Sequence, residues 1–191
     1  MATRRTSTSG SKRMTAPSFT YCPHPERSGA IEPSDEVCSC CNTARGYAYA
    51  LDIVSDDLPD SFREVCPWCI ADGLAASNYG IVFNDPDVLA QRGLAKDIIE
   101  GITLRTPSYS SWQTAAWECH CDDACEFHGD LTVEEAHAPD WQAVAEMLNS
   151  SVASAQKTWP EYAARYVPAD PSIFKFVCRH CQKVTYQIDT P

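Results

Sequence analysis

The sequence predicts an α+β protein, one compact domain in which small zinc-ribbon and zinc-knuckle strands are joined by several short helices. Three observations lead there. Four close groups of cysteine stand out among the 11 in the chain: CSCC (38–41), CPWC (66–69), CDDAC (121–125) and CRHC (178–181). The last group lies between two strand-like runs, SIFKFV and KVTYQID. Pro160, Pro168 and Pro171 break the chain ahead of that strand pair.

Taken in order, residues 1–18 are rich in Ser, Thr and Arg and offer almost nothing to bury, so they read as a disordered basic tail. The folded, zinc-binding domain is expected over 19–191. FTYCPHPERSGAIEPSDEVC carries three prolines and reads as extended or looped chain. RGYAYALDIV (45–54) has strand composition and ends at the acidic turn SDDLPD. IADGLAASNYG predicts a short helix stopped at Gly80, and IVF (81–83) a short strand. Asn84 and Asp85 before Pro86 start a helix over PDVLAQRGL. GITLRTPSY predicts a strand and then a turn. SSWQTAAWECH predicts a helix, with Trp112, Ala116 and Cys119 on one face. APDWQAVAEMLNSSVASAQKTW predicts one long helix striped by Trp141, Val144, Ala145 and Leu148.

The cysteine groups carry the chemistry. Two thiolates separated by a short spacer can chelate one metal through a tight turn, and four such arms make two tetrahedral zinc sites. The preferred pairing is local: Cys38 and Cys41 with Cys66 and Cys69, and Cys121 and Cys125 with Cys178 and Cys181. Two other pairings of the arms remain open. Either Cys40 or Cys41 can serve; Cys41 is chosen because it completes a CxxC with Cys38. Zinc in a closed four-thiolate shell has no open position, so both ions are expected to be structural. Such a site contributes an apparent ~10–16 kcal/mol in small peptides, against a total domain stability of ~5–15 kcal/mol. CPWC also has the spacing of a thiol-redox couple, but the helix after it is short and carries an early glycine, Gly73, which fits that reading poorly.

Charge narrows the partners. The formal net charge is −11, and Arg4, Arg5, Lys12 and Arg13 in the tail leave the rest at −15. So acidic a body repels phosphates, which argues against nucleic-acid binding and suits a basic partner. From Thr106 to Gln156 there is no Lys or Arg, while nine acids occur among Trp112, Trp117, Phe127 and Trp141, a single-sign field expected to be the docking surface for a cationic partner. No apolar run reaches the ~20 residues that span a bilayer, and no secretory h-region is present, so a cytoplasmic location with reduced thiols is expected. Arg105, Tyr109, Trp112, Gln113, Trp117 and His120 form a polar–aromatic set that could take a ligand or a partner. P-loop, Rossmann, HExxH and nucleophile-elbow motifs do not occur, so a binding protein is expected rather than an enzyme.

The order FTYCPHP (19–25), Cys38–Cys41 followed by Arg45, Gly46 and Tyr47, CPWCIADG, RTPSYSSWQ (105–113), HCDDAC (120–125) and a terminal CxxC resembles the CbrC family, the colicin-tolerance proteins of bacteria. Cys22 stands where that family shows histidine and is expected to be a packed thiol. Ser108 and Ser111 replace glycines, and Ala115 replaces an acid found in some relatives. The resemblance implies tolerance to DNase-type bacteriocins. A nuclease domain must be basic to grip DNA, and an acidic protein covering it would gain from charge complementarity.

Overall fold

Residues Ser172–Val177 (β6) and Val184–Asp189 (β7) pair antiparallel on either side of the CRHC turn, in register from Ser172 opposite Asp189 to Val177 opposite Val184. Glu126–Asp130 (β5) adds to the other edge of β6 and completes a three-stranded sheet in the order β5-β6-β7. The computed structural model describes residues 15–53, 55–56, 58–113 and 115–190. The tail expected over 1–18 falls mostly outside these residues, as do Val54 of the expected 45–54 strand and Thr114 of the expected 110–120 helix.

Strand periodicity separates two cores on opposite faces of this sheet. Phe174 and Phe176 face one core, where they meet Phe127, Tyr109 and Trp117. The Tyr109 ring stacks on Phe127 with centroids 4.1 Å apart, and the edges of Phe174 and Phe176 close the cluster. Ile173 and Tyr186 face the second core, made by three helices: Val133–His137 (α5), Trp141–Met147 (α6) and Val152–Ala163 (α7). Thr132 and Glu135 form a reciprocal capping box at the start of α5. The Trp159 indole is buried there and donates to the Ala136 carbonyl at 2.7 Å.

The chain before the sheet wraps the first core. Ile31–Ser34 (β1) and Gly46–Tyr49 (β2) form a hairpin. Four helices follow: Pro67–Ala71 (α1), Leu74–Tyr79 (α2), Pro86–Gln91 (α3) and Lys96–Arg105 (α4). Gly80 ends α2 in the left-handed region, and Asp85 caps α3 through the Asp87 amide. Cys119–His120 (β3) and Asp123–Ala124 (β4) make a minimal hairpin just before β5.

Several expected elements differ. GITLR is the end of α4 rather than a strand: Ile98, Ile99 and Ile102 fall at helical spacing and pack against the first core. Residues 81–83 join no sheet. The described part of SSWQTAAWECH is irregular and ends in β3, because Trp117 is pinned by its indole to the Cys125 carbonyl at 2.7 Å. The single helix expected over 138–159 is two. Asn149 adopts φ 47°, and Ser151 caps α7 through the Ser154 amide. Leu148 is consequently exposed at the end of α6 rather than in its stripe.

Candidate metal centres

Two turns of nearly identical backbone carry one arm of each centre. In the first, the Asn42 amide donates to the Cys38 carbonyl at 2.8 Å and the Cys38 amide to Thr43 at 3.3 Å. In the second, the Gln182 amide donates to the Cys178 carbonyl at 3.0 Å and the Cys178 amide to Lys183 at 2.8 Å. The residue after the second cysteine has positive φ in both: 51° at Asn42 and 61° at Gln182. This region is uncommon for residues other than glycine, and both turns accept it to aim two sulfurs the same way.

The second arms differ. In the first centre Cys66 is the residue before α1, and Cys69 lies one turn later, its amide bonded to the Cys66 carbonyl at 3.0 Å. A parallel bridge between Cys38 and Glu64 holds this arm beside the first turn. Cys38, Cys41, Cys66 and Cys69 converge, with all four sulfurs within 4.8 Å of one another. Sγ of Cys38 is 3.8 Å from Cys69, and Sγ of Cys41 is 3.9 Å from Cys66. A regular tetrahedron with zinc–sulfur bonds of ~2.3 Å has sulfur–sulfur edges of ~3.8 Å. The donor set and these edges therefore fit zinc. Cys40 lies beside the cluster and outside it. Hydrogen bonds from Cys40 and from Cys66 push the Cys38 thiol down, while Cys66 is pushed up by its bond to Cys38 and by burial.

The second centre corrects the expected ligand set. His120, Cys121, Cys178 and Cys181 converge, and Cys125 is outside the group. The reason is the hairpin. His120 pairs with Asp123 across a two-residue turn, so Cys121 sits at its tip with φ 56° and Asp122 with φ 55°. Cys125 has already entered the core, 1% exposed, with its thiol pushed up to about 12 by burial and by neighbouring negative groups. Nδ1 of His120 is 3.1 Å from Sγ of Cys121 and 3.3 Å from Sγ of Cys181. Three thiolates and an imidazole are also a tetrahedral zinc donor set.

Asp123 organises this second centre from behind. Its Oδ2 accepts from Arg179 Nη1 and from His180 Nε2, both at 2.9 Å. Its Oδ1 accepts from the Tyr21 hydroxyl at 2.9 Å and the Ala124 amide at 2.8 Å. Burial alone would raise this carboxyl, yet the bonds from Tyr21 and His180 and the Arg179 charge leave it below the ordinary aspartate range. One buried carboxylate thus ties the hairpin to the knuckle that supplies Cys178 and Cys181.

The other expected site residues do not form one site. Tyr109 and Trp117 are core aromatics, and the Tyr109 hydroxyl donates to the Ala116 carbonyl. Arg105 is exposed at the end of α4, its guanidinium against Gly73. His120 belongs to the second centre. Trp112 is 70% exposed at the rim of a 580 Å³ cleft, its amide held by buried Asp189, and Gln113 lies beside it. Cys22 is packed in the first core, with its thiol raised to about 11 by burial.

The acids of 106–156 are largely engaged within the molecule. Glu135 is bracketed by Arg27 and Lys175, Glu146 meets Lys183, and Glu126 meets His128. Asp130 accepts from the Tyr166 hydroxyl and the Ile173 amide, and Asp140 caps α6. The excess charge lies elsewhere. Residues 31–100 hold 13 acids and 4 bases, a formal −9 of the total −11. Among the described residues, the one ion pair within that segment is Lys96–Glu100, and Glu32, Asp35, Glu36, Asp60, Asp85 and Asp87 are exposed.

Fold and clusters together define an α+β protein with two cysteine-based centres that could hold metal ions. The chain belongs to the uncharacterised protein family UPF0167, whose pattern matches residues 16–190. A UPF0167 protein of Pseudomonas aeruginosa is 40% identical over 91% of this chain and 96% of its own length. UPF0167 proteins of Mycobacterium bovis and Mycobacterium tuberculosis are each 34% identical over 65% of this chain and 66% of theirs. These names state no activity, and none carries the colicin-tolerance name. No solved structure matches the chain. Among the described residues, no helix is long and apolar enough to cross a membrane.

Proposed function

We propose that this is a zinc-stabilised binding protein, non-enzymatic, whose acidic lobe around the first centre docks a cationic protein partner. The observation that carries the reading is the placement of charge. The −9 segment 31–100 is built on the first cluster and has almost no internal ion pairing, whereas the acids of the sheet and helical half are largely engaged within the molecule. A zinc ion in four thiolates would add a further formal −2. A dense single-sign field steers an oppositely charged partner and raises its on-rate. The resemblance to CbrC proteins suggests a DNase bacteriocin domain as the cationic partner, since such a domain must be basic. A thiol-redox role for CPWC is disfavoured, because Cys66 and Cys69 are not an isolated pair but share one cluster of four sulfurs with Cys38 and Cys41.

The test is binding of a basic DNase bacteriocin domain as a function of salt. Neutralising Glu32, Asp35 and Glu36 together (to Gln, Asn and Gln) should slow association ~10-fold at low salt. Neutralising the same number of exposed acids in the helical half, Glu134, Glu161 and Asp170, should leave it unaltered. Absence of binding at low salt, or equal effects of the two variants, contradicts the proposal for that partner.

A further inference from the structure

The two centres use the same knuckle but differ in how they are covered. In the first, Cys38, Cys66 and Cys69 are at most 2% exposed and Cys41 is partly exposed, with Cys66 and Cys69 held at the start of α1. In the second, Cys121 and Cys181 are exposed and only Cys178 is buried. Its hairpin arm is two residues long on each side, and both residues at its tip hold positive φ without being glycine. Two positive φ values are the ordinary backbone of a two-residue hairpin turn, which sets Cys121 at the solvent-facing tip without any help from a metal.

We infer that the cluster of His120, Cys121, Cys178 and Cys181 is an exchangeable site for a thiophilic divalent cation such as zinc, while the first centre is a permanent structural one. The inference rests on both clusters binding metal, but not on the docking proposal. An incoming chelator or donor protein can reach an ion held by exposed sulfurs directly. In the first centre three of the four sulfurs are buried and only Cys41 is partly exposed, so an incoming ligand has one sulfur to approach and full release needs local opening of the core, which costs free energy. Loss of the outer ion need not undo the fold, because Asp123 joins the hairpin to Arg179, His180 and Tyr21 without any metal. The emptied site therefore keeps its geometry and can reload. The N and S donor set selects zinc-like ions over calcium or magnesium.

The test uses the full chain, zinc-loaded and reduced, with no partner present. Release is followed with a chromogenic chelator in excess, native mass spectrometry counts the ions, and far-UV circular dichroism follows the fold. One ion should leave ~10-fold or more faster than the other, as for direct release against release through opening. The dichroism should stay constant after the fast phase, and added zinc should restore two ions per chain. Cys181→Ser should abolish only the fast phase; should that variant not fold, His120→Ala is read in its place. Release of both ions at one rate overturns the inference. So does collapse of the fold with the first ion, a fast phase that persists in these variants, or a single ion per chain at the outset.

Discussion

Sγ of Cys38 lies 3.8 Å from Sγ of Cys69, across 31 residues of chain. Tertiary structure, not local spacing, makes this contact, and the amide of Cys66 donates to the same Cys38 sulfur at 3.2 Å. The first centre is therefore where the N-terminal hairpin and α1 are joined.

Cys69→Ser should abolish cooperative unfolding rather than merely lower its midpoint. The ion that Cys69 helps hold contributes an apparent ~10–16 kcal/mol, which is comparable to the whole stability of a domain at ~5–15 kcal/mol. Thermal melts by circular dichroism check this. A near-native melt for Cys69→Ser would mean that the sulfurs converge without holding an ion.

Asp123→Asn should weaken zinc at the second centre by ~10–100-fold, the usual effect of losing a group that orients metal ligands. The readout is competition with a chelator of known affinity, alongside the melting midpoint. A purely structural role would lower the midpoint and leave the affinity ratio of the two centres unchanged.

Glu135 gives an acid-range signature. Burial opposes its ionisation, but hydrogen bonds from Thr132 and Lys175 and the charges of Lys175 and Arg27 prevail and lower it from 4.5 to about 2. A carboxyl lowered in the folded state contributes stability that is present above its unfolded value near 4.5 and is lost as pH falls toward about 2. Glu135→Gln should cost ~1–2 kcal/mol at pH 7. The gap between wild type and variant should narrow below pH 4.5. Chemical denaturation of both proteins across this range checks it, since acid loss of zinc affects the two alike and cancels in the difference. A gap independent of pH would contradict the assignment.

Phe127→Ala should cost ~3–5 kcal/mol, because its ring is fully buried between Tyr109 and Phe176 and its removal opens the aromatic core beneath both centres. Urea unfolding measures it. A loss below ~1 kcal/mol would mean that the core collapses around the gap.

The CxxC arms were legible because their chemistry is written in spacing: the knuckles at 38–41 and 178–181 and the strands around Cys178 follow from short local patterns. The second ligand set was not. CDDAC looks like an arm, but Cys121 and Cys125 point apart once Cys121 and Asp122 form a hairpin turn, and nothing in a three-residue spacer announces that turn. His120 was visible as a histidine beside a cysteine, and only the fold places its Nδ1 against Cys181. The break between α6 and α7 was readable in principle, since Ser151 is an ordinary helix cap after Asn149. Helix α4 was misread because Ile and Thr favour strands, while its packing stripe of Ile98, Ile99 and Ile102 favours the helix. The charge of 106–156 misled for another reason: sequence shows where acids occur and not that Lys175, Arg27, Lys183 and Arg179 reach across to them.

Zinc per chain, counted by native mass spectrometry on reduced wild type, Cys125→Ser and Cys121→Ser, decides whether both clusters hold metal and which cysteine completes the second. Two ions are expected in wild type, two in Cys125→Ser and one in Cys121→Ser. Loss of an ion from Cys125→Ser, or a wild-type chain without metal, would contradict this expectation.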